Sequence, residues 1–60
     1  MARYKTTLMD DPEGTTVIVE GRALGGRIVR EFITHVKDAD IPAAVESCMD
    51  VVREKVEPKE

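Results

Sequence analysis

The chain predicts a small α+β domain: a three-stranded antiparallel sheet followed by one C-terminal amphipathic helix packed on one face, in the order β-β-β-α. Three observations carry that expectation. Residues 2–22 alternate around a Pro-Gly turn, Gly25-Gly26 supplies a second turn signal, and residues 41–56 show one apolar stripe at helical spacing.

The first strand runs from Ala2 to Met9, with Tyr4, Thr6 and Leu8 pointing one way and Arg3, Lys5, Thr7 and Met9 the other. Asp11-Pro12-Glu13-Gly14 then places proline where its fixed φ suits the second position of a type I turn, and glycine where a positive φ is needed. The second strand of this hairpin spans Thr15 to about Arg22 and opens on five β-branched residues in succession, Thr15 to Val19.

Two rules disagree over residues 27–37. Ile28, Val29, Phe32, Ile33 and Val36 fall within an arc of about 140° at 100° per residue, which is the helical pattern. Most of these residues are β-branched or aromatic, and the segment has neither an N-capping side chain at its entry nor a glycine at its exit, which favours a strand. A two-residue Gly-Gly loop arbitrates for the strand. It pairs Leu24 with Arg27, Ala23 with Ile28, Val19 with Phe32 and Val17 with Thr34 on one face. The other face receives Arg22 with Val29, Glu20 with Glu31, Ile18 with Ile33 and Thr16 with His35. Glu20 opposite Glu31 is the one unfavourable pair.

The helical alternative gives the order β-β-α-α. Over about residues 15–56 that order is similar to the ribbon-helix-helix repressors and antitoxins, a resemblance that implies a strand entering the major groove with Thr16, Ile18 and Glu20 as its reading residues. An isoleucine and a glutamate fit poorly against DNA, and the Gly-Gly pair and the extra first strand depart from that pattern.

The last element is one helix. Asp40 is the expected N-cap, Pro42 sits in the first turn where its missing N–H costs nothing, and good helix formers continue to about Val56. Ile41, Ala44, Val45, Cys48, Val52 and Val56 share a face of about 120°, flanked by Met49 and Val51. Residues 1–57 thus form a single domain, and 58–60 a polar tail.

Sixty residues with 42% hydrophobic and 35% charged side chains suffice for folding but bury only a modest core, so association is a common remedy at this size. Tyr4 and Phe32 are the only aromatic residues, which leaves an aliphatic core with little to stack on bases. The single Cys48 cannot form an internal disulfide, and no basic-then-apolar leader or apolar run of about 18 residues occurs. Together these point to a cytoplasmic protein without a membrane segment.

Chemistry-bearing motifs are sparse. His35 is the only histidine; as a base it would need an orienting carboxylate, and as a metal ligand it would need company. Cys48 lies on the apolar helix stripe, where a thiol acts as a small hydrophobe. Asp10, Asp11 and Glu13 fall short of a calcium loop, and residues 21–27 lack the spacing of a phosphate-binding loop. No catalytic residue, metal site or cofactor is expected.

The net charge is −3, with a basic front and an acidic back. One helix covers one face of a three-stranded sheet, so Val17, Val19, Ala23, Ile28, Phe32 and Val36 are assigned to the helix. Ile18, Val29 and Ile33 are left on the open face beside Glu20, Arg22, Glu31 and His35. An apolar centre with a charged rim is the anatomy of a protein interface. The expectation is a small non-enzymatic regulatory or adaptor protein that binds a protein partner through this face as a homodimer, with joined edge strands as another route to the dimer. The alternative is a small dimeric nucleic-acid-binding regulator using Arg3, Lys5, Arg22, Arg27, Arg30 and Lys37.

Overall fold

The computed structural model describes residues 2–58. Three nine-residue strands, β1 (Arg3–Asp11), β2 (Gly14–Arg22) and β3 (Ile28–Val36), form an antiparallel sheet in the order β1-β2-β3. A 3-10 turn over Asp38–Asp40 leads into the helix α1 (Ile41–Val56), which lies over β2 and β3. The fold is the expected β-β-β-α. Residues 27–37 contribute a strand, and with it the β-β-α-α order and its ribbon-helix-helix likeness fall away. Of the expected polar tail, residues 59 and 60 lie outside the described residues.

The first hairpin follows the sequence reading. Asp11 pairs with Gly14 across Pro12-Glu13, and Tyr4, Thr6 and Leu8 align with Gly21, Val19 and Val17. The Asp11 carboxylate accepts the Glu13 amide (2.8 Å), so the aspartate closes its own turn. Gly14 has φ +154°, and a Cβ there would stand 2.7 Å from the Val36 carbonyl oxygen, which leaves glycine as the residue that lets β3 approach.

The second hairpin departs from it by one residue. Ala23 N–H donates to the Arg27 carbonyl (2.8 Å) and Gly26 N–H to the Ala23 carbonyl (2.9 Å), so the loop holds three residues, Leu24, Gly25 and Gly26. Gly26 takes φ +89°, as expected of the last residue in a three-residue hairpin loop. Ile18 therefore pairs with Phe32, Val19 with Glu31, Glu20 with Arg30 and Gly21 with Val29. Because side chains alternate, a one-residue shift moves every residue of the strand to the other face. Phe32 and Ile28, assigned above to the helix, stand on the open face at 60% and 47% exposure. Val29, Glu31 and Ile33, assigned to the open face, share the helix side with Gly21, Val19 and Val17.

A bulge ends the shifted stretch. Thr34 and His35 stand together opposite Thr16, and Thr15 then pairs with Val36. His35 carries φ +58°, a left-handed conformation uncommon outside glycine. The extra residue returns Val36 to the helix side, where it is buried with Val17 and Ala44.

Among the described residues the buried core is built from valines, Ala44 and Cys48. Val19, Cys48, Val52 and Val56 form one cluster, with Tyr4, Ala23, Val29 and Met49 packed around it; Val17, Val36 and Ala44 form the other, bordered by Ile41 and Val45. The helix sits close at Gly21, where a Cβ would meet Val52 Cγ1 at 2.6 Å and Val56 Cγ2 at 2.9 Å. Asp40 precedes the helix at the expected position but makes no capping hydrogen bond. Its backbone (φ −98°, ψ −3°) belongs to the 3-10 turn, and its N–H donates to Lys37. At the other end Glu57 N–H donates to the Arg53 carbonyl, and Pro58 follows.

Candidate interaction surface

The face of the sheet turned away from α1 is the candidate site. Strand alternation and the observed register place Arg3, Arg22 and Ile28 in one cross-strand row, Lys5, Glu20 and Arg30 in the next, and Thr7, Ile18 and Phe32 in the middle. Met9 and Thr16 follow, then Asp11 at the Pro12-Glu13 turn. No described element covers this face. Phe32, Met9 (54% exposed) and Ile28 present their apolar surface to water, and Ile18 is half-buried between its neighbours.

Charge is distributed unevenly along the strands. Arg3, Lys5, Arg22 and Arg30 gather toward the Leu24-Gly26 end, where Glu20 meets Arg30 at 3.5 Å. Asp11 and Glu13 mark the opposite end. Many of the remaining acids, Glu46, Asp50 and Glu54 among them, are exposed on α1. The molecule is thus basic at one end of its open face and acidic along its helix.

Of the seven residues expected at an interface, Ile18, Glu20, Arg22 and His35 border the open face, while Val29, Glu31 and Ile33 do not. Phe32, Ile28 and Arg30 take the places those three were given. Among the six expected nucleic-acid contacts, Arg3, Lys5, Arg22 and Arg30 come together. Arg27 turns to the other side and donates through its guanidinium to the Lys55 carbonyl. Lys37 stands beyond the far end of β3, at the entry to the 3-10 turn.

Asp11 organises the acidic corner. Besides the Glu13 amide, its carboxylate accepts the Thr16 hydroxyl (3.1 Å) and the His35 amide (3.2 Å), and it lies 3.5 Å from His35 Nδ1. Loss of hydration raises its pKa, but these hydrogen bonds outweigh that effect and hold the carboxyl below the usual range. His35 thereby has the carboxylate partner that a base would require. The imidazole is 55% exposed, however, and what the Asp11 contacts build is a closure of turn and bulge.

The two other perturbed groups lie on the helix side. Tyr4 donates its hydroxyl to Glu57, and that bond, with lost hydration, raises the phenol pKa; Arg53 sits 5.9 Å over the ring. Burial, and then the charge of Glu31, push the Cys48 thiol up, which makes it a poor nucleophile. Among the described residues no three His, Cys, Asp or Glu side chains are grouped to hold a metal, and no helix is long and apolar enough to cross a membrane. No family model, curated protein or solved structure matches this chain, so its own geometry is the ground for a functional reading.

Proposed function

We propose that this protein is a small non-enzymatic regulatory or adaptor module that acts through protein–protein contact at its open sheet face, and that it associates there as a homodimer. One observation carries the reading: Phe32 and Ile18 sit side by side at the centre of an uncovered sheet, with Met9 in the next row on β1 and the charged row Lys5–Glu20–Arg30 on the other side, beyond which Ile28 is also exposed. Large aromatic and aliphatic side chains at the centre of a charged rim are the residues that dominate protein interfaces. On the helix side Val17, Val19 and Val36 are buried beneath α1, whereas the apolar residues of the open face have no cover.

Sedimentation equilibrium across micromolar concentrations tests this. The wild type is expected to associate, and Phe32→Asp or Ile18→Asp to hold the chain monomeric with its circular dichroism unchanged. A wild type that stays monomeric at several hundred micromolar, or aspartate variants that associate as well as it does, would overturn the reading.

A second reading has its own support. Phe32, exposed next to Arg30 on the side toward which Arg3, Lys5 and Arg22 gather, gives a basic end of the face one aromatic platform on which a nucleotide base can stack. Binding of a labelled oligonucleotide that weakens steeply with salt and is lost in Phe32→Ala would favour it; no binding at low salt would remove it.

A further inference from the structure

We infer that two copies of this chain pack open face to open face with their strands in opposed directions, about a two-fold axis that crosses the strands at the row Thr7–Ile18–Phe32. The inference rests on the self-association proposed above and adds the arrangement. Thr7, Ile18 and Phe32 are the midpoints of β1, β2 and β3, and they are aligned with one another across the sheet. A two-fold axis relating stacked sheets lies in the plane between them, and where the sheets pack aligned it either crosses the strands or runs along them. Both choices set Ile18 against Ile18; the charges separate them.

With the axis along the strands, Arg22 would face the partner copy's Arg22, Glu20 would face Glu20, and Lys5 would face Arg30. Three like-charge pairings would close over an apolar centre, where unpaired charge is most costly. With the axis across the strands, Arg3 meets Asp11, and the Arg3–Arg22 end of each copy lies over the Pro12-Glu13 turn of the other. Lys5 then lies over Met9, Arg30 over Thr34 and Glu20 over Thr16, so no like charges are opposed, and Phe32 stacks near Phe32 on the axis.

Size agrees with this occupant. The molecule measures 37 by 20 by 13 Å. The two longer dimensions give a projected area on the order of 700 Å², comparable with the roughly 800 Å² per partner that standard interfaces bury. A second copy is therefore large enough to cover the apolar centre of the face.

Pulsed electron–electron resonance on spin-labelled protein tests the arrangement. Leu24→Cys and, separately, Glu13→Cys are labelled in a Cys48→Ala background; both positions are exposed tips at opposite ends of the sheet. At a strand rise of about 3.3 Å per residue and a sheet spacing of about 10 Å, opposed copies separate like labels by about 35–40 Å. Copies in the same direction bring them within about 20 Å. Long distances at both tips support the inference. Short distances overturn it while leaving self-association standing, whereas the absence of dipolar modulation removes the self-association beneath it. Pairing through the β1 edges would also give long distances, but it would survive Phe32→Asp, and a dimer that survives that change overturns the inference too.

Discussion

Asp11 is the residue through which the most distant parts of the sheet are tied. Its carboxylate receives hydrogen bonds from Glu13, Thr16 and His35, joining the first turn, the second strand and the bulge of the third. The bond to the His35 amide holds a residue whose φ of +58° is otherwise costly. Because the folded-state pKa is depressed, the ionised carboxylate adds stability above the ordinary aspartate value of about 4, and this contribution is lost as pH falls through the lower folded value. Asp11→Asn is therefore expected to melt below the wild type at pH 6, with the two melting curves converging as the pH is lowered from about 4 toward 2. Thermal melts at half-unit pH steps check this. A gap that stays constant with pH would show that Asp11 acts by shape and not by charge.

At the level of elements, the fold was legible because β1, β2 and the helix carry their own local signals, alternation in β1, a β-branched run in β2 and an Ala-, Val- and Met-bearing stripe in α1, while β3 was read as a strand from its β-branched composition and the Gly25-Gly26 turn against a helical periodicity. The face of β3 was not legible, because one loop residue decides it. Gly25-Gly26 is read naturally as a two-residue turn, while the observed loop takes in Leu24 and uses only Gly26 in the left-handed conformation. A trace of the answer was present in the sequence: the two-residue loop sets Glu20 against Glu31, whereas the three-residue loop sets Glu20 against Arg30. Charge complementarity across the strands was the better guide to register than the Gly-Gly motif. The bulge could not be anticipated, since nothing in Thr34-His35 announces a left-handed histidine. It explains why Val36 alone among the β3 residues assigned to the helix is buried there.

The same contrast gives a mutational test. Val36 is 6% exposed and Phe32 60% exposed, so Val36→Ala should cost about 2 kcal/mol and Phe32→Ala less than about 1 kcal/mol in the monomer. Denaturant titrations at concentrations low enough to suppress association measure both. Had Phe32 faced the helix, its truncation would cost about 3–5 kcal/mol and the order would reverse.

For the molecule as a whole, the balance between core and surface is the governing fact. Among the described residues seven apolar side chains are buried, none larger than valine, and seven large ones are at least 37% exposed. A single helix 16 residues long spans the two strands beneath it and leaves Leu8 of β1 uncovered on its own side and Phe32, Ile28 and Met9 uncovered on the other. If a second copy supplies the missing layer, folding and association are one equilibrium, and stability must depend on protein concentration. For chains of this length a tenfold increase in concentration is worth about 0.7 kcal/mol per chain, which raises the melting temperature by about 5 °C. Differential scanning calorimetry from about 10 μM to 1 mM should show this rise in the wild type and a flat melting temperature in Phe32→Asp. A wild-type melting temperature independent of concentration would mean that the small valine core stands alone and that the apolar centre of the sheet remains in water.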